Sequence, residues 1–158
     1  MSTGDDFRKS ALLAGIGLVA SLFVCLPASA VLGGDASTVQ QDGARMKAAV
    51  RITPGMPYSV HEIRDPNGTM VREFVSPAGQ VFAVSWQGPY TPDLRQLLGE
   101  YFDQCMSATE NAERRRRPAA HVEAGDLVFE TGGHMRFIVG RAYLRSKLPQ
   151  GASADGIR

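Results

Sequence analysis

Two nearly identical tetrapeptides place the strongest constraint on how this chain folds. Asp65–Gly68 (DPNG) and Ser76–Gly79 (SPAG) both read polar-Pro-X-Gly, and each lies between segments rich in Val, Phe and other β-forming residues. Pro presets φ at the second position of a turn, and Gly accepts the left-handed conformation that closes a three-residue hairpin loop. The two turns, closed by Gly68 and Gly79, therefore predict three antiparallel strands connected as a β-meander.

The same turns predict which side chains share a face of the meander. A three-residue loop in each hairpin pairs Glu62 with Arg72, and Phe74 with Phe82. Because alternate side chains of a strand lie on one face, we predict an aromatic core face made of Val60, Met70, Phe74, Phe82, Val84 and Trp86. The opposite face carries His61, Ile63, Val71, Glu73, Val75, Val81, Ala83 and Ser85, and we expect it to be partly solvated. Glu62 and Arg72 would form an ion pair within the core face, and loss of one partner of a buried pair destabilises a protein by about 3 to 5 kcal/mol.

A strongly amphipathic segment follows the meander. Thr91 is a favourable N-cap, and Pro92 suits the first turn of a helix. Apolar residues then recur at helical spacing in one stripe, made of Leu94, Leu97, Leu98, Tyr101, Phe102 and Cys105. We expect this helix to cover the aromatic face of the meander, with Cys105 as a small buried hydrophobe rather than a reactive thiol.

A further hairpin is predicted around Gly132 and Gly133, because two glycines supply the positive φ that a type I′ turn requires. Its strands would run from 126 to 131 and from 134 to 140, and Phe129 would face Arg136. The predicted fold is α+β: an antiparallel sheet of about five strands, with one amphipathic helix packed on one face.

The domain boundaries follow from this pattern. Residues 58–144 form a single α+β domain, and residues 31–57 form an N-terminal arm with a weakly helical stretch. Gly, Ala, Ser and Asp make up residues 151–156, and we expect residues 145–158 to be a loosely packed tail.

The first 30 residues have the pattern of a Sec-type signal peptide. Basic residues precede an apolar run at 11–26, and Ala28 and Ala30 supply the small-X-small cleavage motif, so we expect cleavage after Ala30. A membrane anchor is the alternative, but the run is shorter than the roughly 20 residues that a spanning helix needs. A lipoprotein signal at Cys25 is a further alternative, but the bulky Val24 precedes it. The sequence thus predicts a periplasmic or secreted protein without a stable membrane span.

Charge gives a weak indication of partners. The net charge of +1, from 17 Lys and Arg against 16 Asp and Glu, does not favour binding to nucleic acid. One strong basic run consists of Arg114, Arg115, Arg116 and Arg117. It is either a solvated loop or a contact for an anionic envelope component. His134 and Arg136 are predicted on one face of the hairpin around Gly132 and Gly133. They would form a recognition edge for an envelope protein.

Catalytic signatures are absent from the sequence. No motif for a metal, a nucleotide, a haem or a serine hydrolase occurs, and we expect no cofactor. His61 and Glu73 face each other in the predicted register, and a cross-strand polar pair is the ordinary interpretation. We therefore predict a non-catalytic periplasmic or envelope interaction module. The alternative is a small periplasmic hydrolase or transferase that uses His61 with Glu73, or His134.

Several motifs together resemble one family. They are Leu32–Gly34, Val71–Val75, Gly79–Pro89, Pro92–Arg95, Leu97–Gly99 and Gly132–Phe137 with Gly140. In combination they resemble the exported bacterial family called domain of unknown function 2844, over nearly all of the chain that follows the signal peptide. The resemblance implies export, and it implies no activity, cofactor or catalytic residue.

Overall fold

The computed structural model describes residues 32–35, 49–114 and 121–158. Within these ranges the chain forms one antiparallel sheet in the order β1-β2-β3-β4-β7-β6-β5. Its strands are β1 (Ala49–Thr53), β2 (Ser59–Arg64), β3 (Met70–Val75), β4 (Val81–Gly88), β5 (His121–Ala124), β6 (Leu127–His134) and β7 (Phe137–Leu144). The predicted α+β class is confirmed, but the sheet has seven strands rather than about five, because β1 and β5 extend its two edges.

One helical segment connects β4 to β5. It comprises α1 (Leu94–Leu98), a 3₁₀ turn at Gly99–Tyr101, and α2 (Phe102–Arg114). Asp93, not the predicted Thr91, is the N-cap, and its Oδ1 accepts hydrogen bonds from the backbone N–H groups of Arg95 at 2.9 Å and Gln96 at 3.2 Å. The cap prediction was wrong because Asp serves this role equally well two residues later. None of the helices in the described ranges is long and apolar enough to cross a membrane.

The first hairpin forms as predicted. In the turn, the N–H of Asp65 donates to the carbonyl of Thr69 at 2.9 Å, and Gly68 takes a φ of 91°. Glu62 pairs with Arg72, as expected from a three-residue loop. The local turn chemistry was therefore sufficient to set the β2–β3 register.

The hairpin between β3 and β4 has the predicted turn but a different strand register. The N–H of Ser76 donates to the carbonyl of Gln80 at 2.9 Å, but the register then shifts by one residue, so that Phe74 pairs with Ala83 instead of Phe82. Phe82 is the extra residue of a β-bulge. A slip of one residue moves every later side chain to the other face, so Val84 and Trp86 lie opposite the predicted side.

The helix consequently covers the face that was predicted to be partly solvated. We call this the helix-side face. Its buried core consists of Leu32, Ile63, Val71, Val75, Val81, Val84, Trp86, Leu97, Leu98, Cys105, Val122, Leu127, Phe129, Ala142 and Leu144. Cys105 is fully buried as expected, and burial raises the pKa of its thiol to about 11, so the neutral thiol prevails at neutral pH.

The β6–β7 hairpin turns later than predicted. His134 pairs with Phe137, and the turn lies at Met135 and Arg136, where Arg136 has a φ of 68°. This register places Phe129 opposite Ala142, both in the helix-side core, instead of opposite Arg136. Gly132 and Gly133 are part of β6. The prediction of a Gly-Gly turn was wrong because burial of the apolar side of both strands outweighs the local turn preference.

The C-terminal tail is also better packed than expected. Ile157 is only 1% exposed and joins a second core on the opposite side of the sheet, which we call the tail-side face. This core contains Phe74, Phe82, Ala83 and Ile157, and Tyr58, Val60, Tyr143 and Leu148 pack against it. Leu148 and Ile157 thus pack a segment whose composition is typical of loops against the sheet.

Candidate functional site

A row of polar side chains crosses the whole tail-side face. The strand registers align one residue from each strand, in the order Arg51, Glu62, Arg72, Ser85, Arg141, Glu130 and His121. We call this set the polar row. Neighbouring members have opposite charge at three of its steps, so the row is built from cross-strand pairs that stabilise each other.

Four charged members of the polar row form two ion pairs at short range. Arg72 Nε lies 2.8 Å from Glu62 Oε1, and Arg141 Nε lies 2.5 Å from Glu130 Oε2. His121 Nδ1 lies 3.0 Å from Glu130 Oε1. The hydrogen bond from Arg141 lowers the pKa of Glu130 below its ordinary value, and His121 adds to this effect. Glu130 therefore carries its charge at neutral pH and holds the guanidinium of Arg141 in place.

The Glu62–Arg72 pair differs from the prediction. It lies within the polar row, and its two side chains remain 26% and 22% exposed. The pair is therefore partly solvated rather than buried in an apolar core. The bulge at Phe82 is the physical reason, because it moves Val84 and Trp86 away from the face that carries this pair.

The two arginines of the polar row also bind the tail. Arg141 Nη1 donates to the carbonyls of Ala154 at 2.6 Å and Ile157 at 3.4 Å. Arg72 Nη1 donates to the main-chain oxygen of Arg158 at 3.0 Å. Each guanidinium therefore bridges a carboxylate of the sheet and the backbone of the tail, which fixes the tail across the sheet.

A cavity of about 630 Å³ opens between the tail and the β6–β7 hairpin. Phe137, Val139 and Ile157 contribute apolar surface to it, and Glu130, Arg141, Asp155, Arg158, His121 and Gln87 contribute polar groups. Gly132 lines the cavity as well, and a Cβ on it would meet only Val139 Cγ2, at 4.0 Å. The missing side chain of Gly132 helps to keep the cavity open.

The hairpin residues predicted to bind a partner lie beside this cavity but do not line it. His134 contacts the ring of Phe137 at a centroid distance of 5.9 Å, and its Nδ1 lies 3.1 Å from the carbonyl of Met135. Arg136 is exposed in the turn itself, and Met135 is 90% exposed. His134 and Arg136 thus flank an exposed apolar tip instead of sharing one strand face.

The remaining predicted residues are dispersed. Arg114 ends α2, whereas Arg115, Arg116 and Arg117 lie outside the described residues. The predicted signal peptide with Ala28 and Ala30 and the predicted helical stretch before Ala49 also lie outside them. Trp86, predicted on the aromatic core face with Phe74, is instead buried on the helix-side face. Gly133 has a φ of 112°, and a Cβ on it would lie 2.2 Å from the carbonyl oxygen of Phe137, so a glycine is required there.

The predicted acid–base pair is part of the interior. His61 and Glu73 are partners in the β2–β3 ladder, as expected, and both are buried. Burial lowers the pKa of His61, so the ring is neutral at neutral pH. Neither residue lines the cavity. The two residues therefore lie in the interior on the helix-side face, away from the cavity.

Sequence reasoning did not identify His121, Glu130 or Arg141. The signal that could have found them is the alternation of polar and apolar side chains along β5, β6 and β7. The predicted Gly-Gly turn gave the wrong β6–β7 register, so Glu130 and Arg141 were not recognised as partners. His121 has a carboxylate near each ring nitrogen, since Nε2 lies 3.3 Å from Glu123 Oε1. In the part of the chain that the structure describes, no three His, Cys, Asp or Glu side chains are placed to hold a metal ion.

Comparison with known proteins agrees with the family resemblance. Residues 28–157 match the family described as protein of unknown function (DUF2844). No curated protein and no solved structure matches the chain.

Proposed function

Because the chain belongs to the DUF2844 family of proteins of unknown function, we propose its role from its geometry. It is an exported, non-catalytic interaction module of the bacterial cell envelope. Its contact surface is the cavity on the tail-side face together with the exposed tip of the β6–β7 hairpin. The partner is a protein segment that enters this cavity.

The observation that carries this proposal is an open cavity continuous with exposed apolar side chains. A volume of about 630 Å³ is within the range of roughly 300 to 1,000 Å³ that is usual for ligand pockets. Phe137 and Met135, which remain 47% and 90% exposed, extend the apolar surface from the cavity to the hairpin tip. Exposed apolar surface beside a polar rim is typical of a contact site for another molecule.

The arrangement of charges supports binding rather than catalysis. Glu130 is held by Arg141 and His121, and both ring nitrogens of His121 face carboxylates. A general base needs a nitrogen or carboxylate that can take a proton from the substrate. The pairs in the cavity direct these groups toward each other, so they form a fixed, polar binding wall.

The position of Leu32 is compatible with export, because it lies two residues after the predicted cleavage site at Ala30. Leu32 is already buried in the helix-side core, and its N–H donates to the carbonyl of Leu97 at 3.0 Å. Cleavage after Ala30 would therefore retain Leu32 and its contacts with the core. The signal pattern and the family resemblance point to the same compartment.

Cell fractionation with mass spectrometry tests export. We expect the mature protein outside the cytoplasm with residues 1–30 removed, and we expect Ala30→Arg to block cleavage because a large charged residue does not fit the small-X-small site. A Thr53→Arg variant controls for the added charge. Full-length protein that remains in the cytoplasm would contradict the proposal.

Photo-crosslinking in intact cells tests the contact site. A photoreactive phenylalanine analogue at Phe137 should form a discrete adduct with an envelope protein, and Gly132→Phe in the same chain should abolish it by filling the cavity. The analogue at Ile52 is the matched control, since Ile52 and Phe137 are both 47% exposed but only Phe137 lines the cavity. Equal crosslinking from both positions would show that the cavity is not the contact site.

A further inference from the structure

The tail is held on the sheet by the kinds of contact that hold a bound peptide. Its main-chain oxygens at Ala154, Ile157 and Arg158 accept hydrogen bonds from the side chains of Arg72 and Arg141. In peptide recognition, bonds to the main chain provide affinity for any sequence, and pockets for individual side chains provide specificity. Arg72 and Arg141 supply the hydrogen bonds to the main chain.

The pocket for an individual side chain is an apolar slot that holds Ile157. Ile157 is 1% exposed against Phe74 and Phe82, and the ring of Tyr58 packs edge-on against both rings at centroid distances of 5.6 and 5.5 Å. By contrast, the tail residues Gly151, Ser153, Asp155, Gly156 and Arg158 are exposed. Ile157 is therefore the one fully buried side chain among residues 151–158.

The binding surface extends beyond what the tail occupies. Ser85 lies between Arg72 and Arg141 in the polar row, and its buried hydroxyl has no hydrogen-bond partner among the described residues. The cavity continues from Ile157 and Arg158 toward Val139 and Phe137. A longer segment lying in the same site would find further contacts along this path.

We propose that Arg72, Arg141 and the Ile157 slot form a recognition site for a short peptide segment that adopts a 3₁₀ turn and carries an aliphatic anchor residue, and that residues 153–158 occupy it as an intramolecular ligand. This inference rests on the proposed interaction role and deepens it by stating the chemistry of the partner. The partner segment displaces the tail, places its aliphatic side chain in the slot and presents its main-chain oxygens to the two arginines.

The tail is suited to leave the sheet without disturbing it. Its own backbone hydrogen bonds are local, from Gly156 to Ser153 and from Ile157 to Ala154, and none of them belongs to a strand ladder. Gly151, with a φ of 85°, precedes the docked segment. Undocking therefore removes one buried side chain and three side-chain hydrogen bonds, while the seven strands keep their pairing.

Fluorescence anisotropy with a labelled peptide of residues 153–158 (SADGIR) tests the site directly. The probe should bind the full chain carrying Ile157→Ser at least about tenfold more tightly than the wild-type chain, because an occupied site lowers apparent affinity by the fraction that is open. The same peptide carrying Ile157→Ser is the control and should not bind. Adding Arg141→Gln to the protein should weaken binding of the SADGIR peptide, since two main-chain contacts are lost.

Absence of saturable binding to a folded Ile157→Ser chain would overturn the inference. Hydrogen exchange of the wild-type chain gives an independent test that requires no variant. The amides of Gly156 and Ile157 should exchange faster than that of Val84 through local opening. Equal protection would show that the tail leaves only on global unfolding, which would also overturn the inference.

The proposed function can fail separately from this inference. If crosslinking from Phe137 captures a partner while the peptide does not bind, the interaction role stands and the peptide site is rejected. If the peptide binds and Phe137 yields no adduct, the recognition chemistry stands and the role of the cavity in cells is rejected.

Discussion

On the helix-side face, α1 and α2 bury a continuous apolar surface that includes Trp86, whereas the tail-side face carries the polar row and is covered by a short tail with one buried anchor, Ile157. Both faces are made from the same strands, and adjacent residues such as Ser85 and Trp86 belong to different faces. The difference indicates a division of roles. The helix-side face supplies most of the stability, and the tail-side face leaves polar groups and volume for another molecule.

The largest difference in stability between mutations on the two faces should appear when Trp86 is truncated. Trp86→Ala removes a buried indole from the helix-side core and should destabilise the protein by about 3 to 5 kcal/mol. The neighbouring Gln87→Ala, which changes the tail-side face, should cost less than about 1 kcal/mol. Urea unfolding midpoints measure both values. Similar losses for the two variants would contradict the assignment of stability to the helix-side face.

Two glycines of the β6–β7 hairpin give a matched comparison. A Cβ on Gly140 would lie 2.1 Å from Trp86 Cζ2, whereas a Cβ on Gly132 would meet only Val139 at 4.0 Å. Gly140→Ala should therefore cost about 1 to 3 kcal/mol through overpacking, and Gly132→Ala should change stability by less than about 0.5 kcal/mol.

Thermal and urea unfolding measure the stability of Gly140→Ala and Gly132→Ala. A double-mutant cycle sharpens it, because the cost of Gly140→Ala should disappear in a Trp86→Ala background, where the space beside the glycine is free. A cost that persists in that background would show that the steric explanation is wrong.

Removal of the Glu62–Arg72 ion pair should have a smaller effect. A pair buried in an apolar core would cost about 3 to 5 kcal/mol when broken. Since the two side chains are 26% and 22% exposed, Arg72→Ala should cost only about 1 kcal/mol, including the lost bond to the tail. Urea midpoints for Arg72→Ala, Glu62→Ala and the double variant give the coupling between them. A loss above about 3 kcal/mol would mean that the pair is effectively desolvated.

The smallest expected effect is a change in how the stability of the protein depends on pH. The hydrogen bond from Arg141 holds the pKa of Glu130 below its ordinary 4.5, so this pair stabilises the fold at neutral pH. The contribution is complete above pH 4.5 and is lost as the pH falls through the lowered pKa of the folded state. Glu130→Gln should therefore be less stable than wild type at neutral pH, and the difference in unfolding free energy should shrink as the pH falls below 4.5.

Urea midpoints across this pH range measure the effect. Glu113→Gln, on the exposed surface of α2, controls for the loss of one negative charge. A constant difference between wild type and Glu130→Gln at all pH values would show that Glu130 contributes by packing rather than by its charge.

The parts of the fold that could be predicted were those set by neighbours in sequence. The Asp65–Gly68 turn fixed the β2–β3 register, and helical spacing identified the apolar stripe that includes Leu97 and Leu98. Of the candidate site, only the pairing of Glu62 with Arg72 was predicted. The rest depends on the bulge at Phe82 and on the true turn at Met135 and Arg136. A one-residue error in register transfers a whole strand to the other face.

By itself, the sequence determined the α+β class, the first two turns, the helix and the membership in one family, because turn chemistry, periodicity and combined motifs are local properties. Tertiary structure alone decided which face the helix covers, which strands form the edges, and how Arg72 and Arg141 meet the tail. These features depend on packing between distant segments. The burial of Trp86, Phe129 and Leu98 in one core selects among registers that local preferences leave nearly equal.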